Sequence, residues 1–261
     1  MNTIKTKLSL DATKIKIVAV ILMFCDHIHQ MWAPYGAPMW LTWLGRPVFP
    51  IFLFIMSESF HYTQNRKKLL TRLLLASWFM HLANLVFESL LHNKDIVLMN
   101  NAFSTFFITT LYMLFWDMLV DGIKTKKISK IIRAILLCFI PIITMIPFFL
   151  ILSGGPVPRW LIKCLLFLPN VLVVEGGPPV IILGVLFYIF RRWRLAQVAI
   201  LAALSAYIFF MDPSSIQWMM GFAVIPMLLY NGEKGRGMKN FFYIFYPAHI
   251  YLLYVIATLL K

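Results

Sequence analysis

The stretch IKIVAVILMFCDHIHQMWAP, residues 15–34, is a long apolar run that carries ionisable groups in its interior. A helix needs about 20 mainly apolar residues to cross a bilayer, so the length of this run predicts a membrane span. An ionisable side chain at mid-membrane costs about 3 kcal/mol unless it faces protein or a water-filled cavity. Asp26 and His27 therefore predict that this span borders a polar interior formed with other helices.

The composition of the whole chain agrees with a membrane setting. Hydrophobic residues make up 61% of the 261 residues, and the mean hydropathy is +0.81, whereas soluble domains contain roughly 45–50% apolar residues. No polar stretch is long enough to form a soluble domain. We therefore predict an all-α integral membrane protein that forms a single polytopic domain over residues 1–261.

The basic residues predict the orientation of the chain. The net charge of +14 would favour nucleic acid as a partner in a soluble protein, but here the basic residues lie in clusters between apolar runs. The positive-inside rule places such clusters in the cytoplasm, so we expect a plasma-membrane protein with a cytoplasmic N-terminus, the lipid bilayer as partner and no nucleic acid. The connections expected outside lie near 33–45, 91–100, 153–160 and 211–215.

This alternation predicts nine membrane spans, with a tenth left open. The segment 160–179 would make a tenth crossing, but that crossing would put two basic clusters on the outer side. We therefore expect a broken or re-entrant element there, interrupted by Pro169 and by the Gly-Gly-Pro-Pro sequence at 176–179. The nine predicted spans are 15–34, 46–62, 70–91, 101–120, 131–152, 176–190, 195–211, 215–230 and 240–260.

Two polar residues of the first span share one helix face. Lys16 and His27 are separated by eleven positions, which is about 1,100° of helical turn and about 16 Å of rise, so both are expected to line one cavity wall. Asp26 points elsewhere and suits Arg46 as a charge partner. Glu58, inside the second span, needs a cation such as Lys16 or Arg72, and the sequence does not decide which pairs form.

Three segments resemble the TraX family. They are LDATKIKIVAVILMFCDHI at 10–28, LGRPVFPIFLFIMSESFHYTQNRKKLLTRLLL at 44–75, and YNGEKGRGMKNFFYIFYPAHIYLLYVI at 230–256. The last is similar to the closing motif of that family, in which Phe-Tyr-x-Phe-Tyr-Pro-x-His enters the final helix. A looser match occurs at NNAFSTFF, 100–107, where Asn101 and Thr105 fit an Asn followed four residues later by Thr.

The resemblance implies a function. The named member of the family acetylates the N-terminal amine of conjugative pilin subunits, and related membrane acyltransferases carry a basic residue and a histidine eleven positions apart on the first helix, as Lys16 and His27 are. It implies acetyl-CoA as acyl donor and an envelope acceptor, either a peptide amine or a glycan hydroxyl. Expected coenzyme-binding residues are Lys16, Arg46, Arg72, Asn101, Thr105, Tyr246 and His249.

Acyl transfer needs a base for the acceptor's proton and cations for the phosphates of coenzyme A. His27 is the expected general base, because the ordinary pKa of histidine, about 6.5, suits proton transfer near neutrality. Asp26 and Glu58 are its expected catalytic partners, and Glu58 is a second candidate for the base. A packing role for His27 stays open.

Two other function classes remain as alternatives. A proton-coupled transporter would use Lys16, Asp26, His27 and Glu58 as a relay, but we find no internal repeat of the kind that transporters show. A non-catalytic scaffold of a conjugation or secretion system would not need these spacings. The sequence has no Walker-type loop, serine elbow or metal-ligand spacing, so no metal site is predicted.

Overall fold

The structure is a computed structural model, and its described residues are helical, with turns between the helices and one isolated bridge between Leu10 and Tyr230. The residues described are 9–91, 93–152, 158, 160, 164–165 and 167–260. The helices are α1 Ala12–Trp32, α2 Trp40–Gly45, α3 Val48–His61, α4 Arg66–Leu91, α5 Ala102–Lys124, α6 Ile128–Cys138, α7 Ile140–Ile143, α8 Ile146–Leu152, α9 Gly177–Ile189, α10 Arg194–Met211, α11 Val224–Leu229 and α12 Lys239–Leu259, with 3-10 turns at Ala33–Tyr35 and Ile216–Ala223.

Within the described part of the chain, seven helical segments are long and apolar enough to cross a membrane. The chain is therefore a multi-pass membrane protein, as predicted, but the count of nine to ten spans is not confirmed. Two predicted spans correspond to shorter apolar helices, Gly177–Ile189 and Ile216–Leu229. The seven are Ala12–Tyr35, Trp40–His61, Arg66–Leu91, Ala102–Lys124, Ile128–Phe149, Arg194–Met211 and Asn240–Leu259.

The predicted broken element at 160–179 falls partly outside the described residues, since 161–163 and 166 are not among them. Its described remainder has no regular helix between Phe167 and Gly176. Asn170 organises this stretch, because its side-chain oxygen accepts hydrogen bonds from the backbone N–H groups of Leu172 and Val173, both at 3.0 Å. The chain then enters α9 through Gly176, whose φ of +78° favours glycine.

The contacts divide the chain into two compact units. The first contains the described residues of Met1–Ser59, Val86–Leu98 and Ile189–Lys261, and the second those of Phe60–Leu85 and Met99–Tyr188.

In the first unit, α1 buries an inclined line of side chains at every fourth residue. The helix begins at Asp11, whose carboxylate accepts from the backbone N–H of Lys14 at 2.8 Å, as N-cap residues do. Residues four apart are neighbours on a helix, and such a row is inclined to the helix axis. The buried row therefore winds around α1, which contacts both α2 and α12. The line consists of Ile15, Ala19, Met23, His27 and Met31.

The close approach of α2 to α1 depends on a glycine. A Cβ atom at Gly45 would lie 2.2 Å from Cγ of Asp26, which no side chain tolerates. This glycine lets the backbone of α2 reach the second half of α1, where the polar residues of the first span lie.

In the second unit, α5 carries a charge cluster inside its apolar surroundings. The Asp117 carboxylate accepts from the Tyr188 hydroxyl at 2.7 Å and pairs with Arg66 at 2.6 Å. The Arg66 guanidinium also lies over the Phe60 ring, 4.6 Å from its centroid. The aspartate is thus neutralised by a cation and satisfied by a hydroxyl, as a charge inside a membrane protein requires.

Candidate functional site

Two histidines meet in the interior of the first unit. His27 lies on the buried line of α1, and His249 lies on α12 two residues after Pro247. Their side chains are joined between Nδ1 of His27 and Nε2 of His249 at 2.6 Å, and the rings stack with centroids 4.9 Å apart. Both residues are buried, with 5% and 4% exposure. The pair links the first and last spans of the described chain.

The hydrogen-bond chain determines which nitrogen of each ring carries a proton. Nδ1 of His249 lies 2.5 Å from the carbonyl oxygen of Phe245, and because a carbonyl only accepts, this nitrogen must donate. In a neutral ring Nε2 of His249 is then the acceptor, so Nδ1 of His27 donates to it. The basic nitrogen of a neutral His27 is therefore Nε2, which is the atom that can take up a further proton.

Aromatic rings enclose the two histidines. The Phe245 ring stacks on His249 with centroids 4.6 Å apart, and Tyr246 lies 6.3 Å from the His27 ring. Phe24 contacts His249 from α1, with centroids 6.0 Å apart. Such apolar surroundings strengthen the hydrogen bonds within the pair, because there is little water to compete.

A charge cluster lies around Asp26, the residue that precedes His27 in the sequence. Arg46 pairs with the Asp26 carboxylate at 3.0 Å, which confirms the predicted partner of Asp26. The Thr42 hydroxyl donates to the same carboxylate oxygen at 2.6 Å, and Arg46 donates to Oε1 of Gln217 at 3.2 Å. Asp26 thus belongs to the Arg46 cluster, and its expected catalytic role stays a prediction.

Sequence reasoning missed Thr42 and Gln217. Thr42 lies one helical turn before Arg46, and Arg46 donates to its carbonyl oxygen at 3.1 Å and to its hydroxyl at 2.9 Å. A search for polar residues four positions from the intramembrane arginine Arg46 would have found Thr42. Gln217 is distant in sequence and gave no such signal.

The cations near Glu58 differ from those considered from the sequence, Lys16 and Arg72. Its electrostatic neighbours are Arg194 and Arg191, from a basic cluster that the sequence analysis used only as a topology signal. Depth in the membrane was the sole guide to pairing, and depth does not tell which helices are adjacent. Among the described residues, Oε1 of Glu58 is buried with no hydrogen-bond partner.

Arg194 is held firmly at the start of α10. Its guanidinium donates to the carbonyl oxygens of Met227 at 2.9 Å and Tyr230 at 3.2 Å. It also lies over two aromatic rings, 4.9 Å from the centroid of Phe54 and 4.8 Å from that of Tyr230. This arginine therefore fixes the end of α11 and supplies the positive field around Glu58.

Lys16 and Tyr246, two of the residues expected to bind coenzyme, lie in the same unit as the histidine pair. The Lys16 ammonium group lies 5.5 Å from the centroid of the Phe242 ring on α12. The neighbouring helical turns of α12 therefore contact α1 through Phe242 near its start and through Tyr246 and His249 further along. As predicted from their spacing, Lys16 and His27 both face one neighbouring element, and that element is α12.

Three other expected coenzyme-binding residues, Arg72, Asn101 and Thr105, belong to the second unit. The backbone N–H of Asn101 donates to Oε2 of Glu175 at 3.1 Å, and the Thr105 hydroxyl donates to the carbonyl oxygen of Glu175 at 2.8 Å. Asn101 is also the N-cap of α5, where its side chain accepts from the N–H of Ser104. These contacts attach the Glu175 turn to the start of α5, and a role in coenzyme binding stays a prediction for all three.

No group of three or more His, Cys, Asp or Glu side chains in the described ranges is arranged to hold a metal ion. The described cysteines Cys25, Cys138 and Cys164 are free thiols.

Comparisons with known proteins give two findings. A family model described as TraX protein matches residues 11–257. A relative from Dichelobacter nodosus, named "Probable fimbrial assembly protein FimC, serogroup H1", is 28% identical over 254 residues, which cover 93% of this chain and 94% of the relative. No solved structure matches the chain. The matched region includes both histidines of the pair.

Proposed function

Because the chain belongs to the TraX protein family, we propose that it is a membrane acyltransferase that moves an acetyl group from coenzyme A to an acceptor of the cell envelope. The observation that carries the proposal is the buried His27–His249 pair, whose hydrogen bonds leave the basic nitrogen of His27 at Nε2. A base oriented by a second group is the arrangement that activates a nucleophile in acyl transfer.

His27 acts in both halves of the proposed reaction. Nε2 of His27 removes the proton of the acceptor amine or hydroxyl while the acceptor attacks the thioester carbonyl. The carbon–sulfur bond then breaks, and the same proton passes to the departing thiolate. The products are the acetylated acceptor and free coenzyme A, and His27 returns to its neutral form.

His249 supports this proton transfer without touching the acceptor. It accepts the Nδ1–H of His27 at 2.6 Å and donates to the Phe245 carbonyl oxygen at 2.5 Å. When His27 gains a proton, two acceptors in line stabilise the positive charge, namely Nε2 of His249 and the carbonyl oxygen of Phe245. A neutral imidazole in this place avoids burying a further charge in the membrane.

The charge distribution and the chemistry of the donor determine the sides of the membrane from which we propose that donor and acceptor enter. Coenzyme A thioesters are cytoplasmic, and the positive-inside rule assigns the basic clusters, with the N-terminus, to that side. The acceptor reaches His27 from the outer side or from the bilayer. The name of the relative, a fimbrial assembly protein, favours a peptide acceptor that belongs to a surface fibre.

The same name favours a second candidate function, a non-catalytic scaffold for the assembly of such a fibre. A scaffold needs its surfaces but not the basic nitrogen of His27. Replacement of His27 by a residue of similar size separates the two candidates, because only the acyltransferase loses its function in an otherwise intact protein.

The experiment follows label from radioactive acetyl-CoA into acid-insoluble material, with purified protein in nanodiscs and envelope fractions as the acceptor source. We expect transfer with the wild-type chain and none above background with His27→Gln, while both proteins elute as one monodisperse species. Glu58→Gln is the matched comparison, since Glu58 is the other candidate base. Near-normal transfer by His27→Gln together with loss in Glu58→Gln would move the base to Glu58. Absence of transfer by the wild-type chain, with fibre assembly intact in cells that carry His27→Gln, would favour the scaffold.

A further inference from the structure

Residues 231–237, here called the basic loop, are attached by hydrogen bonds to the start of α1. The backbone N–H of Asn231 donates to the carbonyl oxygen of Leu10 at 3.0 Å, and that of Ala12 donates to the carbonyl oxygen of Glu233 at 2.9 Å. The Thr13 hydroxyl lies 2.6 Å from the carbonyl oxygen of Arg236 and 3.2 Å from that of Lys234. A loop with the sequence NGEKGRG is thereby held in one place on the first span.

A glycine permits this attachment. Gly235 has a φ of +67°, and a Cβ atom there would lie 2.4 Å from Oδ1 of Asp11. Gly237, in the same loop, would place a Cβ atom in open space. The position of the loop therefore depends on one glycine and not on the other, which supplies a matched pair of substitutions.

The attachment brings like charges together. Lys16, although it lies in α1, is close enough to Lys234 for the two ammonium groups to repel each other. Among the described residues, no carboxylate lies within salt-bridge distance of Lys16, Lys234 or Arg236. The nearby Asp11 carboxylate is engaged as the N-cap of α1 and in a 3.9 Å contact with Lys14. Glu233 of the same loop accepts from the side-chain amide of Asn231 at 3.1 Å. Neighbouring cations that form no salt bridge are an arrangement that binds phosphate groups.

The basic loop is followed along the chain by the helix that carries His249 of the histidine pair. It precedes α12, which packs on α1 through Phe242 beside Lys16 and through His249 beside His27. The rise from Lys16 to His27 is about 16 Å along the helix. A ligand with phosphates at one end and a thioester at the other end of a flexible arm fits this separation of charge and base.

We propose that the basic loop and Lys16 form a phosphate-binding site, in which Lys16, Lys234 and Arg236 hold the phosphate groups of an anionic ligand. That this ligand is the nucleotide end of the acyl donor rests on the proposed function. The same chemistry would hold the phosphate of an anionic lipid headgroup, and the two sources are separated below. The site adds Lys234, Arg236 and the conformation of Gly235 to the residues that the sequence singled out.

The test measures binding, so it does not depend on catalysis. The full chain is placed in nanodiscs of phosphatidylcholine, and the affinity for adenosine 3′,5′-bisphosphate, which carries two phosphates of coenzyme A, is measured by calorimetry at two salt concentrations. We expect saturable binding that weakens at high salt. Arg236→Ala and Lys234→Ala are each expected to weaken it about tenfold or more, as expected for loss of a hydrogen bond to a charged group.

Two controls separate the site from general charge and from folding. Gly235→Ala moves the loop without altering the charge and should weaken binding, whereas Gly237→Ala should not. Lys127→Ala removes an exposed lysine of the second unit and should leave the affinity unchanged. His27→Gln should bind the nucleotide like the wild-type chain, so that loss of transfer in that variant and loss of binding in the loop variants are separate results.

The lipid arm uses nanodiscs that contain phosphatidylglycerol, with bound lipid counted by native mass spectrometry. If nucleotide does not bind but the loop variants retain less phosphatidylglycerol than Lys127→Ala, the phosphate site stands and its source is the lipid. Arg236→Ala removes an exposed side chain and should not disturb folding. If this variant and the other loop variants change neither nucleotide affinity nor lipid retention, the site assignment is overturned. In that event the acyltransferase proposal is still judged by transfer in the His27 experiment.

Discussion

The His27–His249 pair of the first unit and the Asp117 cluster of the second unit satisfy their polar groups in different ways. In the second unit, Asp117 is neutralised by Arg66 and accepts from the Tyr188 hydroxyl, so that a charge meets an opposite charge. In the first unit, His27 and His249 meet as two neutral rings in a directed chain of hydrogen bonds. A closed ion pair stabilises one arrangement, whereas a directed chain of imidazoles can take up and return a proton.

The same difference extends to the charged groups around each cluster. In the first unit, Glu58 has a buried carboxylate oxygen with no hydrogen-bond partner among the described residues, and Lys16 lies near another cation. Polar groups left incompletely satisfied lower stability, and proteins keep them mainly where function requires them. The comparison therefore predicts that substitutions in the histidine pair affect activity and that substitutions in the Asp117 cluster affect stability.

The largest expected effect is that of His27→Gln. Loss of a positioned general base lowers the rate by about 10²–10⁴. Glutamine keeps a similar volume and can still donate to Nε2 of His249, so the free energy of unfolding should fall by no more than the 0.5–3 kcal/mol that is roughly usual for a single substitution. Initial rates of label transfer and unfolding in an SDS titration measure the two quantities. A large loss of stability would place His27 with the structural polar groups and end the contrast between the units.

Loss of the supporting ring should have a smaller effect. In His249→Phe the ring volume and stacking remain but Nδ1 of His27 loses its acceptor, and a hydrogen bond to a group that becomes charged contributes about 1.5–3 kcal/mol. We expect a fall in kcat of about 10- to 100-fold with an unchanged KM for acetyl-CoA. His249→Gln, which can still accept from His27, should recover part of the rate. A rise in KM alone would show that His249 binds the coenzyme instead, as the sequence suggested.

The Asp117 cluster supplies the reciprocal test. Asp117→Ala removes the partner of a pair whose side chains keep 24% and 30% exposure, so we expect a loss of about 2 kcal/mol, below the 3–5 kcal/mol of a fully buried pair. Asp121→Ala, one turn further along the same helix in an exposed pair with Lys130, should leave the free energy of unfolding nearly unchanged, because solvent and salt screen an exposed pair. Transfer rates of the two folded variants should equal that of the wild type. A lower rate in Asp117→Ala at equal stability would contradict the structural role.

Much of the first unit could be predicted from the sequence because its signals are local. Helical spacing placed Lys16 and His27 on one face, and the depth of Asp26 and Arg46 led to their pairing, which is confirmed. Hydropathy also located each long apolar helix. The number of spans is unconfirmed because two of the predicted spans are helical segments of only 13 and 14 residues, shorter than the roughly 20 residues that a crossing needs.

Contacts between distant segments could not be predicted from one sequence. His27 and His249 are 222 positions apart, and helical periodicity says which face of a helix is polar but not which helix covers it. The same gap explains why Arg194 was missed as a neighbour of Glu58. It also explains why the sequence analysis assigned no ligand to the basic loop. The attachment of this loop to Leu10 and Thr13 uses backbone carbonyl oxygens, which every residue type carries.

The smallest expected effect belongs to Asn101, which the sequence assigned to coenzyme binding and the structure shows as the N-cap of α5. Its amide group also donates to the carbonyl oxygen of Ser77 at 3.1 Å and to the Ser77 hydroxyl at 3.2 Å. Loss of an N-cap costs about 1 kcal/mol, so Asn101→Ala should lower the free energy of unfolding by about that amount plus the Ser77 contacts.

Asn101→Ser separates the cap from those contacts. Serine caps a helix about as well as asparagine but is too short to make both bonds to Ser77, so its stability should lie between that of the wild type and that of Asn101→Ala. If Asn101 serves only the fold, the KM for acetyl-CoA is the same in all three proteins. A KM that rises in both variants, out of proportion to their stability, would instead support the coenzyme role and would extend function to the unit that contains the Asp117 cluster.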